Sequence, residues 1–194
     1  MRRQFNDDRR KELLDGVMEI IKTQGFSKVT ISEMAAKLHC SASSLYKIAP
    51  NKDSLIVLAI NQWGELALRD WEARAVQGKT ASTRAHLYYR AAVEGVSSWS
   101  HDFRNDVNRF ESARLAYAKI SDNFINRFAD LLNEAVEEGE VRSINTKFLA
   151  NVFRQMALVI RDEQLLSDCG MTHTQALFEV ERIIWDGIRF ERHH

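Results

Sequence analysis

At 194 residues, 45% of them hydrophobic and 28% charged, the chain has the size and composition of an ordinary soluble protein with one compact domain or two small ones; a single proline and eight glycines are too few turn-formers for a sheet-rich fold and predict an all-α one. No apolar run approaches the roughly 18 residues of a membrane span, the opening MRRQFNDDRR lacks the apolar segment of a secretion signal, and Cys40 and Cys169 have no metal-ligand spacing, so a reduced, cytoplasmic protein is expected. The formal net charge of zero argues against a uniformly basic surface, but residues 1–52 carry ten Lys/Arg against six Asp/Glu and the remainder 17 against 21, an asymmetry that turns one end toward a polyanion.

Leu13, Leu14, Val17, Ile20 and Ile21 recur at helical spacing, predicting an amphipathic helix over residues 7–24 that Gly25 stops. Thr30-Ile31-Ser32-Glu33 is a capping box, opening a second helix with Ile31, Met34, Ala35 and Leu38 on one side. Ser41 offers a new N-cap within one turn of Leu38, so a short third helix over residues 42–48 follows, with Leu45 inward and Pro50 preventing extension. Asn51 caps a fourth helix running from Lys52 to Ala75. The second and third helices are joined by a turn too short for antiparallel packing, which is a helix-turn-helix arrangement.

Beyond Gly78 the pattern predicts helices over residues 80–99, 103–110, 112–138, 145–168 and 172–190, about nine in all. Trp63 and Trp71 on the fourth helix are expected to pack against this C-terminal bundle. The organisation expected is a three-helix, helix-turn-helix domain over residues 1–55 joined to a larger helical bundle over residues 56–194.

The third helix carries the functional argument. A helix that enters a groove about 12 Å wide needs small or hydrogen-bonding residues outward near its N-terminus. Ser41, Ala42, Ser43 and Ser44 meet that need, and Lys47 on the outward side reaches a base edge or a phosphate. Tyr46 offers a hydroxyl to a phosphate, and Lys52 adds charge to a helix N-terminus whose amides already favour anions. Sequence would be read by Ala42, Ser43, Ser44 and Lys47.

The run Thr30-Ile31-Ser32-Glu33-Met34-Ala35-Ala36 through Leu45-Tyr46-Lys47, Pro50-Asn51-Lys52 and Leu55 resembles the N-terminal domain of the tetracycline-repressor (TetR) family of bacterial transcriptional regulators. The resemblance implies phosphate contacts at Thr30, Ser44, Tyr46 and Lys52. It further implies that the C-terminal helices dimerise and enclose a small-molecule effector pocket, with double-stranded operator DNA as the other partner; no cofactor or metal is expected, because His86, His101 and His173 are scattered without ligand spacing. Two positions depart from the family pattern: His39 stands at the usual turn glycine, and Ala49 where an aromatic usually packs behind the third helix.

Pairing of the last two helices across a homodimer also has a physical ground. One short helix contacts few bases, whereas two-fold related helices about 34 Å apart fit successive major grooves. Candidate pocket residues are Tyr88, Trp99, Phe103, Phe110, Tyr117 and Met156, with Tyr89 beside them; aromatic residues at helical spacing equally describe a core. Arg109, Glu111 and Arg114 suit a polar ligand or a solvated face. An all-helical di-metal enzyme would need paired Glu-x-x-His motifs, and the only match is Glu191–His194. His193 and His194 read as purification-tag remnants. A helical interaction module without DNA binding is the further alternative.

Overall fold

The computed structural model describes residues 2–188, whose regular structure is helical throughout: ten α-helices and no strand among the described residues. In chain order they are α1 (Arg2–Gln24), α2 (Ile31–Lys37), α3 (Ala42–Tyr46), α4 (Lys52–Ala75), α5 (Ala81–Ser97), α6 (His101–Arg109), α7 (Glu111–Glu137), α8 (Thr146–Val159), α9 (Glu163–Asp168) and α10 (His173–Ile188). Nine were expected. The extra one arises because the segment read as one helix over residues 145–168 breaks after Val159. The Asp162 side chain accepts the backbone N–H groups of Gln164 and Leu165, and this cap starts α9. Glu191–His194 and the His193-His194 pair lie outside the described residues.

Two compact units divide the chain, and the divisions fall inside α4, after the end of α5, and inside α7. The first unit comprises the described residues up to Ala67 together with Ser98–Ile120. Its core grows from the apolar side of α1, where Leu14, Val17 and Ile21 are fully buried. Gly25 ends that helix at φ +74°, a conformation that side chains with a Cβ disfavour. Phe26, just beyond, packs against Phe103 at 6.1 Å between ring centroids and against Phe110 at 5.3 Å. Trp63 of α4 meets Trp99 at 4.9 Å, so it joins this unit's aromatic cluster. The helices are closely apposed: a Cβ on Gly16 would come within 2.4 Å of Leu38, and one on Gly64 within 2.3 Å of Ile120.

The second unit comprises Leu68–Ser97 and the described residues from Ser121 on. Here Trp71 packs edge-on against Tyr88 and Phe124, while Tyr88 and Phe124 stack at 5.3 Å with planes 6° apart. Tyr89, Phe128 and Phe153 complete the aromatic layer. Charged groups bind its helices along their edges. Arg127 makes a two-pronged contact with Glu72, Nε–Oε2 at 3.0 Å and Nη2–Oε1 at 2.8 Å, and also reaches Glu134. Arg84 bridges Glu134 and Glu138. The amides of Ala81 and Ser82, which begin α5, donate to Glu138 and Glu140, placing negative charge at a helix N-terminus. Glu181 of α10 differs: it is buried with His86 Nδ1 3.2 Å away, and burial pushes its carboxyl above the usual range.

The hydrogen bonds from Arg127 hold the Glu72 carboxyl below its usual range. That lowered value makes the contact's stability present above the unfolded carboxyl range, near 4.3, and lost as pH falls through the lowered value. Because both partners are part-exposed, Glu72→Gln should cost only about 0.5–1 kcal/mol near neutral pH. Denaturant titrations of parent and variant are expected to differ at neutral pH and to converge in strong acid.

Candidate nucleic-acid interface

α2 opens as its sequence dictates. Thr30 accepts the Glu33 amide at 3.2 Å and donates its own amide to Glu33 Oε2 at 2.7 Å, closing the capping box. The Thr30 hydroxyl also lies 2.8 Å from the same carboxylate oxygen, so its one proton is engaged there. These bonds hold the Glu33 carboxyl below the usual carboxylate range. A phosphate contact at Thr30 therefore requires the hydroxyl to turn away from Glu33.

The exit of α2 sets the angle of the turn. His39 has φ 49°, in the left-handed region. Around it the Cys40 amide donates to the Ala35 carbonyl at 3.0 Å and the His39 amide to the Ala36 carbonyl at 3.2 Å. This pair of bonds is the Schellman arrangement, which ordinarily uses glycine. Histidine tolerates the conformation at a modest steric cost, so the departure at His39 leaves the turn geometry intact. Cys40 is half-buried with a free thiol.

α3 is shorter than the sequence predicts, ending at Tyr46 rather than residue 48. Its N-cap is Ser41, whose Oγ accepts the Ser44 amide at 3.1 Å and lies 2.9 Å from Ser44 Oγ. Leu45, fully buried, is the inward anchor, and Ala49 is buried behind it. With the anchor on one side, the other side is dictated by 3.6 residues per turn. Ser41, Ser43 and Lys47 are exposed, Ala42 and Ser44 half-buried, and Tyr46 keeps 52% of its surface in solvent. The structure thus gathers Ser43, Tyr46 and Lys47 on one open face and engages Ser41 and Ser44 with each other.

Asn51 closes the set by accepting the Ser54 amide at 2.8 Å, the N-cap of α4. Lys52, the first residue of α4, sends its Nζ 3.4 Å from the carbonyl oxygen of Ser27 in the α1–α2 turn. Sequence reasoning did not single out Asp106 in this region. It is 5% exposed, and its Oδ2 accepts the amides of Phe26 at 2.6 Å and Ser27 at 2.7 Å. The available signal was a carboxylate between Phe103 and Val107, on the apolar side of α6.

The six pocket candidates separate. Trp99, Phe103, Phe110 and Tyr117 belong to the first unit, where Trp99 packs against Phe103 at 4.9 Å and Tyr117 at 5.3 Å. Tyr88 and Met156 belong to the second, Tyr88 buried and Met156 exposed. An open depression of about 420 Å³ in the second unit is lined by Gly170, Met171, Gln175, Phe178, Glu179 and Arg182, none of them among the six. Among the described residues no cluster of three or more His, Cys, Asp or Glu could hold a metal, and no helix is long and apolar enough to cross a membrane.

No protein-family model matches the sequence, and neither does any curated protein. Solved structures do match. One, described as a transcriptional regulator from Saccharomonospora viridis in complex with choline, superposes with a TM-score of 0.78 at 16% identity, covering 95% of this chain and 100% of that one. A TetR-family regulator from Agrobacterium tumefaciens gives 0.75 at 10% identity, with coverage of 95% and 100%. The regulatory protein TetR from Rhodobacter sphaeroides gives 0.73 at 18% identity, with coverage of 91% and 96%. The fold is therefore that of TetR-family transcriptional regulators over nearly the whole chain.

The left-handed residue at the turn yields a direct check. His39→Gly should stabilise the protein by about 0.5–1 kcal/mol, because the steric cost at φ 49° vanishes, and His39→Val should destabilise it by a similar amount or more. Denaturant midpoints of the two variants are expected to move in opposite directions from the parent.

Proposed function

We propose that this chain, folded as TetR-family regulators are, is a one-component transcriptional regulator that binds a palindromic double-stranded DNA site as a homodimer and responds to a small-molecule effector. The reading head is assigned to residues 1–55 and the effector and pairing functions to residues 56–194. One observation carries the proposal: α3 turns a fully buried Leu45 inward, while Ser43, Tyr46 and Lys47 share an open outward face. A helix placed only for packing has no use for such a face, whereas a groove does.

In this reading Ala42, Ser43, Ser44 and Lys47 meet base edges. Thr30, Ser44, Tyr46 and Lys52 meet the phosphates that set position and orientation, with Ser41 at the helix start among the DNA-facing residues. The near-neutral overall charge is no obstacle, because only the surplus cations of the first 52 residues need face the duplex.

Pairing of subunits is supported by the outer side of α8 and α10. Phe148 is 68% exposed and Val159 and Met156 stand on the same stripe of α8, while Ile183 of α10 is 58% exposed. The opposite side of α8 already buries Ala150 and Phe153 in the second unit, so this apolar stripe is surplus to the subunit core. Pairing through it would supply the second reading head.

Effector response requires a ligand that prefers one conformation over another; without differential affinity nothing is switched. Of the sequence candidates, Trp99, Phe103, Phe110 and Tyr117, which share the first unit, are the proposed effector contacts; Tyr88 is in the second unit, and Met156 there belongs to the pairing stripe. Structures described as a transcriptional regulator in complex with choline, a ketosteroid transcriptional regulator and a fatty acid degradation regulator are consistent with a small-molecule effector. The Cys40 thiol is assigned no role.

The test is binding to the intergenic DNA flanking the chain's own gene. Affinity should fall steeply with salt, and the Tyr46→Ala/Lys52→Ala double variant should lose about tenfold or more on all duplexes alike. Ser43→Ala or Lys47→Ala should instead change the preference among duplexes. Salt-independent binding, or a double variant matching the parent, would rule out these phosphate contacts; a protein that binds no duplex would favour the interaction module.

A further inference from the structure

We infer that Asp106, a residue that touches no DNA, is a positioning residue for the reading head: its carboxylate fixes the turn between α1 and α2 and thereby the stance of α2 and Lys52. The inference rests on the proposed function and assigns a part of that machinery outside residues 1–55.

Three features of the first unit carry it. First, a buried carboxylate accepts two consecutive backbone amides, Phe26 at 2.6 Å and Ser27 at 2.7 Å, from residues some eighty positions away in sequence. Bonds to an ionised acceptor are roughly twice as strong as neutral ones, and a carboxylate taken out of water needs such compensation. Second, the turn is shaped around it. A Cβ on Gly25 would stand 2.7 Å from Asp106 Oδ2 and 3.0 Å from the Asp102 side chain, so the left-handed glycine serves both the bend and the close approach of α6. Third, the turn is gripped on its other side. The Ser27 carbonyl lies 3.4 Å from Lys52 Nζ, and the Ser100 amide at the start of α6 donates to the Lys22 carbonyl at 2.8 Å near the end of α1.

Asp106 thus closes a path of short links from α6 through Ser27 to the first residue of α4, which is itself a proposed phosphate contact. The α3 helix has its own caps, so loss of the Asp106 bonds leaves it formed. What is lost is the fixed placement of the α1–α2 turn, from which α2 starts four residues past Ser27. If the geometry that fits the groove is then populated a tenth of the time, apparent affinity falls about tenfold. Binding to arbitrary DNA is less demanding of geometry and falls less.

The full-length parent, Asp106→Asn and Asp106→Ala are compared on two probes, the intergenic duplex flanking the gene and a random-sequence duplex of equal length, at one salt concentration. Amide exchange at Phe26 and Ser27 is followed in parallel. Asp106→Ala is expected to reduce the preference for the intergenic duplex about tenfold and to speed exchange at both amides. Asp106→Asn, which keeps an acceptor but not the charge, should fall between, at about threefold to fivefold. A purely structural residue would lower the melting temperature and leave the preference of the folded protein unchanged. A folded Asp106→Ala variant with parental preference, or unaltered exchange at Phe26 and Ser27, overturns the inference. If that variant does not fold, Asp106→Asn decides it by the same two readings. A parent without preference between the probes overturns the proposed function and this inference with it, whereas a discriminating parent matched by the variants overturns this inference alone.

Discussion

Five residues of helix make little more than one turn, too short to be stable by hydrogen bonding alone. What holds α3 in place is the complete burial of Leu45 together with closure at both ends, by Ser41 at the start and by the Leu45 carbonyl receiving the Ile48 and Ala49 amides at the finish. Everything proposed for the outward face depends on that one inward side chain. It fixes the rotation of the helix, and rotation decides which residues face outward.

Around this point the first unit is assembled from elements that are each locally specified and mutually constraining. The capping box starts α2, a Schellman turn ends it, and Asn51 starts α4. Agreement between local signals and tertiary contacts is what marks a sequence that specifies a single arrangement. The second unit follows a different scheme. An aromatic layer fills its interior, and Arg84 and Arg127 bind its helices through carboxylates at the edge.

Much of this was legible in the residues. Caps at Thr30, Ser41 and Asn51 were readable because a hydroxyl or amide followed three residues later by its partner is a local signal. The interruption at Asp162 was passed over because apolar residues continue on both sides of it and periodicity alone does not register a single capping aspartate. Among the site residues, the exposure of Ser43, Tyr46 and Lys47 follows from Leu45 by helical geometry. That Ser41 and Ser44 engage each other, and that the Thr30 proton is taken by Glu33, depends on side-chain rotamers, which spacing does not encode. Asp106 was invisible for another reason: its partners are backbone amides eighty residues away, and no pattern of side chains announces an amide.

The wet apolar stripe on α8 has a bearing on how the molecule behaves outside any question of DNA. Phenylalanine, methionine and valine left facing solvent on one helix are adhesive toward any similar surface. If a second copy covers them, folding and association merge into one reaction, and the midpoint of melting climbs with protein concentration. Dilution then acts as a denaturant, and the amount of chain in the cell helps to decide how much of it is folded.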